Sequence, residues 1–297
     1  MKELAILTEK RYLKPKNPNW YTNNILLEDQ LVSNALENLG LSCSRVAWDS
    51  RFEVSKFKFL LFRTTWNYFD KLPLFLRFLE KNRKKTCFIN PYNQIMWNLN
   101  KKYLLFFESL GINIPPTIIV KKGEAMSLSG LCHERGWEEI VIKPCVSAAA
   151  WNTHRIKIKV EKEVDTLFYN LSKTQDMIIQ LFQKKILSFG EISLMMFNGV
   201  FSHAVLKKAN KGDFRVQDDF GGTVSCYAPR KKEIDFANKL IASLPFSPIY
   251  ARVDIILDNE NRLALSELEL IEPEMWFRFN RLAPEKIALA IKSHIKG

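Results

Sequence analysis

The chain has 297 residues, 47% hydrophobic and 26% charged, which is the balance of a folded globular protein of about two domains and excludes a disordered or low-complexity one. Lysine and arginine (44) outnumber aspartate and glutamate (32), giving a net charge of +12 that suits an anionic partner without choosing among nucleic acid, acidic lipid and a phosphorylated small molecule. No run approaches the ~18 apolar residues of a membrane span, and the N-terminus has too short an apolar core for a secretory signal.

In chain order, Leu4–Leu7 reads as a short buried strand. Residues 24–39 carry Leu27, Leu31, Ala35 and Leu39 at helical spacing, with Gly40 where a C-terminal cap belongs. Ser44–Trp48 and Phe57–Phe62 read as buried strands, and Pro73–Glu80 begins another helix. This order predicts an open α/β sheet, whose binding loops lie beyond the carboxyl ends of the strands. Arg63 to Tyr68 is such a loop, and Thr64, Trp66 and Asn67 are its candidate substrate contacts; a turn around a buried Trp is the plain alternative. Residues 98–110 predict a helix closed by Gly111. Strands follow at Ile118–Val120, Ile140–Lys143, Arg155–Val160 and Met177–Phe182. Glu191–Phe197 and Val200–Leu206 flank Asn198-Gly199, a strong hairpin signal because both central turn residues need positive φ. Ile249–Leu257 and Arg262–Leu270 form a second hairpin around Asp258-Asn259-Glu260-Asn261, and a last helix starts near Pro284. The latter half is therefore α+β, mainly antiparallel strands. The five cysteines (Cys43, Cys87, Cys132, Cys145, Cys226) contain no C-x-x-C pair and read as reduced thiols of a cytoplasmic protein. The four histidines lack zinc-ligand spacing.

The most informative stretch is Ser266-Glu267-Leu268-Glu269-Leu270-Ile271-Glu272-Pro273. On a strand Glu267 and Glu269 share a face, and Asp254 joins them if the preceding turn has an even number of residues. Like charges across a strand pair repel, so a positive group belongs there. Arg252 supplies one charge against three carboxylates, and a divalent cation is the sharper explanation. A solvated strand face is the other reading, and the residues alone leave both open.

Basic residues are placed where phosphate groups bind. Lys143 ends a strand and leads into a loop of small residues from Ser147 to Ala150, without the spacing of a Walker A loop. Lys101 and Lys102 sit near a helix start, where they oppose the helix dipole. Lys207 ends a strand. Arg215 lies between Gly212 and Gln217, before the turn Phe220-Gly221-Gly222-Thr223, and suits two-pronged contact with a phosphate or carboxylate.

Taken in order, Trp97–Leu104, Val141–Thr153, Gly190–Lys207, Gly212–Thr223 and Tyr250–Pro273 resemble the ATP-grasp superfamily on its glutathione-synthetase-like side, with the nearest likeness to the O-ureido-serine cyclo-ligase type of cycloserine biosynthesis. The resemblance implies an N-terminal α/β domain over residues 1–95 followed by an ATP-grasp fold of two α+β subdomains, 96–180 and 181–297, gripping ATP. It implies that Lys101 and Lys143 bind ATP phosphates, that Ser147 to Asn152 form a lid, and that Gln180, Leu181 and Phe182 form a hinge strand along the adenine edge. Glu191 would contact the ribose. Lys207 and Arg215 would act on the transferred phosphoryl group, and Asp254, Glu267 and Glu269 would hold Mg²⁺, two ions with Glu267 between them. Two departures stand out. Alanines replace lid glycines, and Glu269 stands where many relatives have Asn, adding a charge that demands tighter metal binding or Arg252 as a partner.

The implied activity is carbon–nitrogen bond formation between a small amino-acid-like carboxylate and an amine, between molecules or within one, through an acyl-phosphate. Phosphoryl transfer needs Lys, Arg and Mg²⁺ rather than a nucleophilic side chain, and no Ser/His/Asp or Cys/His set is present. The alternatives are an ATP-grasp protein that binds nucleotide without turnover and a basic protein gripping nucleic acid through Lys81, Arg83, Lys84 and Lys85, which lacks an aromatic RNA-binding signature. Neither a membrane nor a nucleic acid is an expected partner.

Overall fold

The computed structural model describes residues 2–124, 126–148, 150–158, 161–210, 212–216 and 221–296. The chain opens with β1 (Lys2–Thr8), the short helix α1 (Lys10–Leu13), α2 (Trp20–Asn38), β2 (Cys43–Ala47), β3 (Phe57–Thr64), α3 (Leu72–Asn82) and β4 (Cys87–Ile89). The four strands form a parallel sheet in the order β2-β1-β3-β4. Its apolar runs are continuous because both faces are covered. Leu4, Ile6 and Leu61 pack with Val32 and Leu36 of α2, whereas Leu7, Leu60 and Phe62 pack with Phe75 and Leu79 of α3. The first helix of the expected order starts earlier than its apolar pattern, at Trp20. Its N-cap Asn19 accepts a hydrogen bond from the Thr22 amide at 2.8 Å, and Gly40 takes φ +83° just past its end.

The helix expected over 98–110 is two helices, α4 (Tyr92–Asn98) and α5 (Tyr103–Ser109). The chain turns between them because its polar groups are used elsewhere. The Lys101 amide donates to the Cys145 carbonyl at 2.8 Å, and the Asn98 side chain leaves the helix to bond the backbone of Leu268 and Leu270. Next come β5 (Thr117–Val120), α6 (Leu128–Arg135), β6 (Glu139–Pro144), β7 (His154–Lys157), α7 (Glu161–Ser172) and β8 (Met177–Leu181). They make an antiparallel sheet in the order β5-β8-β6-β7. Of the strand expected over 155–160, Lys159 and Val160 lie outside the described residues.

The third sheet, order β11-β10-β9-β12-β13, is also antiparallel. It comprises β9 (Glu191–Phe197), β10 (Val200–Lys208), β11 (Thr223–Tyr227), β12 (Tyr250–Leu257) and β13 (Leu263–Glu269), with α8 (Lys231–Ala242) between β11 and β12. Asn198 and Gly199 turn the β9–β10 hairpin at φ +48° and +75°, as the sequence predicts. One face of the sheet, with Ile192, Leu194, Val253 and Leu268, packs on Leu104 and Phe107 of α5 and on Ala237 and Leu240 of α8. The last helix, α9 (Ala283–Lys296), returns to the first layer, where Ile287 and Ile291 join the core around Val32 and Leu36. Among the described residues no helix is long and apolar enough to cross a membrane, and none of the five cysteines is disulfide-bonded.

Asn90, just beyond β4, ties the first sheet to the third. Its amide nitrogen donates to the carbonyls of Tyr250 (2.8 Å) and Leu270 (2.9 Å), and its oxygen accepts from the Ile249 amide at 2.6 Å. All of these groups are buried, so removing the side chain strands three backbone partners. Asn90→Ala should lower unfolding free energy by roughly 3 kcal/mol, measured by urea denaturation; a loss below about 0.5 kcal/mol would show that the clamp is not structural.

Candidate active site

The face of the third sheet opposite the apolar one carries charge. Leu257 pairs with Leu263, so the β12–β13 loop has five residues, 258–262, and not the four that the sequence suggests. An odd loop alone would set Asp254 opposite Ser266 and turn Glu267 to the other face. A one-residue bulge at Ser266 reverses this, because Ile255 pairs with Leu265 but Asp254 pairs with Glu267. Arg252 then faces Glu269. Asp254 is also paired with Ser193 of β9, and Lys207 with Glu191 across β9 and β10. The hydroxyl of Ser266 donates to Glu191 Oε2 at 2.7 Å, tying the bulge into the same charged surface.

This surface forms one wall of a cavity of about 230 Å³. Residues of the second sheet (Lys143, Gln180, Leu181), the β6–β7 loop (Ser147, Ala148) and the first layer (Tyr21, Trp66, Tyr68) close the other sides. Lys101 reaches in from the α4–α5 turn, its ammonium donating to the Ser147 carbonyl at 2.6 Å and pairing with Glu267 at 2.9 Å. Lys207 pairs with both Glu191 and Asp254, the latter at 3.2 Å. Arg252 binds Asp254 at 2.8 Å and Glu269 from the same nitrogen. The Trp276 ring lies 5.0 Å from the Arg252 guanidinium and 5.5 Å from the Lys207 ammonium.

The protonation states follow from these contacts. Burial opposes ionisation of Asp254, which is 1% exposed, but Arg252 and Lys207 outweigh it and hold the carboxyl well below the usual range. Glu267 is likewise held low, with burial overcome by Lys101 and Lys143. Burial, together with the charges of Glu267 and Asp254, pushes Glu269 up to about 7 in spite of Arg252. Burial pulls the Lys143 ammonium down, and among the described residues it has no ion-pair partner. Lys101 and Lys207 are raised: their carboxylate neighbours outweigh burial.

The three carboxylates expected to hold Mg²⁺, Asp254, Glu267 and Glu269, lie on this face in ion pairs. Among the described residues no three Asp, Glu, His or Cys side chains are grouped to hold a metal ion. Each of the three carboxylates is instead neutralised by a cation, and Arg252 bridges Asp254 to Glu269. The donor chemistry still fits a hard divalent ion, which takes one or two protein carboxylates together with phosphate oxygens. Asp254 and Glu267 supply such a pair.

The remaining candidates divide. Gln180, Leu181, Phe182, Glu191 and Arg215 line the cavity. Gln180 donates to the Thr117 hydroxyl at 2.9 Å, and Phe182 carries the Arg155 guanidinium 4.0 Å above its ring. Arg215 is engaged by Asp213 in a two-pronged ion pair, closest at 2.7 Å. Lys102 turns away to pair with Asp176. In the expected lid Ala150 and Asn152 take positive φ (51° and 49°), a conformation usually left to glycine, and Trp151 packs on Phe69 with ring centroids 5.3 Å apart. Ala149, Gln217 and Phe220 lie outside the described residues. Of the three substrate candidates in the first-layer loop, Thr64, Trp66 and Asn67, Trp66 lines the cavity. Thr64 is buried against Thr8, and Asn67 turns to Asp49 and the Trp48 indole.

The cavity residues to which the sequence assigns no role include Tyr68, Glu272, Glu274 and Trp276. The last three follow the end of β13, where strand periodicity no longer says which way a side chain points. Trp276 takes φ +47° and is held by its neighbours' backbone. The Glu28 carboxylate accepts from the Met275 amide (2.8 Å) and the Phe277 amide (3.3 Å), and is itself paired with the buried Arg63. His203 of β10 donates from Nε2 to the Met275 carbonyl at 2.7 Å.

Comparison with known proteins agrees with this architecture. Residues 4–90 match the model of the D-cycloserine synthetase DcsG N-terminal domain. The chain is 23% identical over 278 residues to the cycloserine biosynthesis protein DcsG of Streptomyces lavendulae, covering 88% of this chain and 92% of that one. The crystal structure of D-cycloserine synthetase DcsG superposes with a TM-score of 0.86 at 22% identity, over 98% of this chain and 99% of that one. The ATP-grasp ligase PsnB, solved with Mg, ADP and a precursor variant, superposes with a TM-score of 0.62 at 11% identity over 99% of both chains. The fold is that of the ATP-grasp ligases.

His203 gives the wall that carries Trp276 a pH dependence. Burial pulls its imidazole down to about 4, whereas the unfolded chain protonates it near 6.5. Between those values the unfolded state binds more protons, so stability is lost as pH falls through 6.5 and the loss is complete near 4. The stability advantage of the wild type over His203→Gln should shrink by up to about 3 kcal/mol between pH 7 and 4, measured by urea denaturation at each pH. A constant difference would show that the ring is not held neutral.

Proposed function

We propose that the chain is an ATP-dependent ligase that activates a small carboxylate as an acyl-phosphate and joins it to an amine, releasing ADP and phosphate. The observation that carries this reading is the cluster of Lys101, Lys143, Lys207 and Arg252 around the Asp254–Glu267 pair, in a cleft between two antiparallel sheets. A site that must gather a triphosphate and a carboxylate needs several fixed cations. It needs no nucleophilic side chain, because the substrate carboxylate is itself the attacking group.

In the first step a carboxylate oxygen attacks the γ-phosphorus, the bond to the bridging oxygen breaks, and ADP leaves. In the second the amine nitrogen attacks the acyl carbon, the acyl carbon–oxygen bond to phosphate breaks, and the amine proton passes to solvent. Lys101 and Lys143 would hold the nucleotide phosphates, with Gln180, Leu181 and Phe182 along the base and Glu191 toward the ribose. Lys207 and Arg215 would neutralise charge on the transferred group; Arg215 must exchange part of its contact with Asp213 to do so. Asp254, Glu267 and Glu269 would hold Mg²⁺, which would supply charge neutralisation at the phosphates. Arg252 supports that arrangement by offsetting the extra charge of Glu269. The Ser147–Asn152 loop would keep water from the acyl-phosphate. The resemblance to the cycloserine type favours ring closure within one amino-acid-like molecule.

Glu267→Ala should leave the fold intact by circular dichroism and reduce carboxylate-stimulated ADP release at least about 100-fold, in a screen of small amino acids with Mg–ATP and hydroxylamine as trapping amine. Full activity in the variant, or AMP as the nucleotide product of the wild type, would refute this reading.

A further inference from the structure

Glu272 is an anomaly within the cleft. Among the described residues six acidic ones line it: Glu191, Asp254, Glu267, Glu269, Glu272 and Glu274. Five have a cation partner, namely Lys207 for Glu191, Arg252 and Lys207 for Asp254, Lys101 for Glu267, Arg252 for Glu269 and Arg278 for Glu274. Among the described residues Glu272 has none. It is 6% exposed, and its Oε2 is buried with no hydrogen-bond partner. A buried carboxylate left in this state is costly unless something completes it.

Its surroundings are rigid. The Glu272 carbonyl accepts from the Trp66 indole nitrogen at 2.9 Å, and Pro273 follows. The Tyr68 phenol is hydrogen-bonded to the carboxyl, and burial, with the charges of Glu269 and Glu267, pushes that carboxyl well above the usual range in the absence of a paired cation. Trp66, Tyr68 and Trp276 line the same cavity, so an unpaired carboxylate is set among aromatic rings. That combination favours a cation: the rings offer negative faces, and the carboxylate offers a free acceptor. Among the described residues no lysine or arginine forms an ion pair with Glu272: Lys101, Lys207 and Arg252 pair with other carboxylates.

We propose that Glu272, walled by Trp66 and Tyr68, binds a primary ammonium group of the substrate and so selects an amino acid over the corresponding hydroxy acid. This rests on the ligase reading for the identity of the cleft, and it adds the residue that recognises the substrate's positive end. Glu272 acts here as a specificity-determining residue, three positions beyond Glu269 and apart from the nucleotide contacts.

The test uses the full chain and a matched pair of probes, serine and glycerate, which differ in ammonium against hydroxyl. Binding of each is measured by calorimetry, with and without Mg and adenylyl imidodiphosphate. Wild type should bind serine at least about tenfold more tightly than glycerate, and Glu272→Gln should abolish most of that preference. Affinity for the nucleotide analogue should change less than about twofold, which also reports that the variant is folded. Equal responses to the two probes in the wild type, including none to either, overturn the proposal, and that comparison needs no variant. A preference that survives in Glu272→Gln overturns it as well, and would fit a neutral carboxylic acid whose donor the amide replaces. Failure of the ligase reading is separate, since it appears as absence of nucleotide binding in the wild type.

Discussion

Strand β13 lies at the edge of the third sheet, and the position of the charged surface depends on how that edge is fixed. Its outward backbone groups are not left to solvent. The Leu268 amide donates to the Tyr103 hydroxyl at 3.1 Å, its carbonyl accepts from Asn98 at 2.8 Å, and the Leu270 amide donates to Asn98 at 2.8 Å. The Leu265 amide donates to the Asn113 carbonyl at 2.8 Å. These contacts hold β13 in one register, with Ser266 bulged and Glu267 facing Asp254. The α4–α5 turn that supplies Asn98 and Tyr103 also supplies Lys101. One short segment therefore fixes both the carboxylates and a cation that meets them.

The ion pairs of the cleft are better explained by chemistry than by stability. Burying charges costs desolvation energy that attraction within the pair repays only in part. Lys207, Arg252 and Asp254 are nevertheless nearly all buried, with Glu191 and Glu269 close by. Such an arrangement is charged in advance and fixed by packing, which suits stabilisation of a developing charge. The cations are also shared: Arg252 serves two carboxylates and so does Lys207. The raised Glu269 and the lowered Asp254 show how unequal that sharing is.

Most of the secondary structure was legible because it follows local rules. Asn198-Gly199 can hardly be anything but a tight hairpin, and the alternation of Leu4 to Leu7 between two cores is the mark of a sheet covered on both faces. The ATP-grasp architecture was legible from the order of short segments. What escaped was non-local. The break between Asn98 and Tyr103 arises because Asn98 bonds a strand some 170 residues away. The odd β12–β13 loop and its compensating bulge cancel, so the shared face of Asp254 and Glu267 was read correctly from a loop count that was one residue short. Glu272 and Trp276 lie past the strand end, where no period applies. Asn67 looked available in sequence but is bonded to Asp49 and Trp48.

The central claim is that this one sheet face receives the triphosphate tail of a nucleotide. A crystal structure of the full chain soaked with Mg²⁺ and adenylyl imidodiphosphate tests it most directly. The account predicts phosphate oxygens within hydrogen-bonding distance of Lys101, Lys143 and Lys207, with metal density at Asp254 and Glu267. Nucleotide bound elsewhere on the molecule, or a cleft in which Lys101–Glu267 and Lys207–Asp254 stay paired at saturating nucleotide, would contradict it.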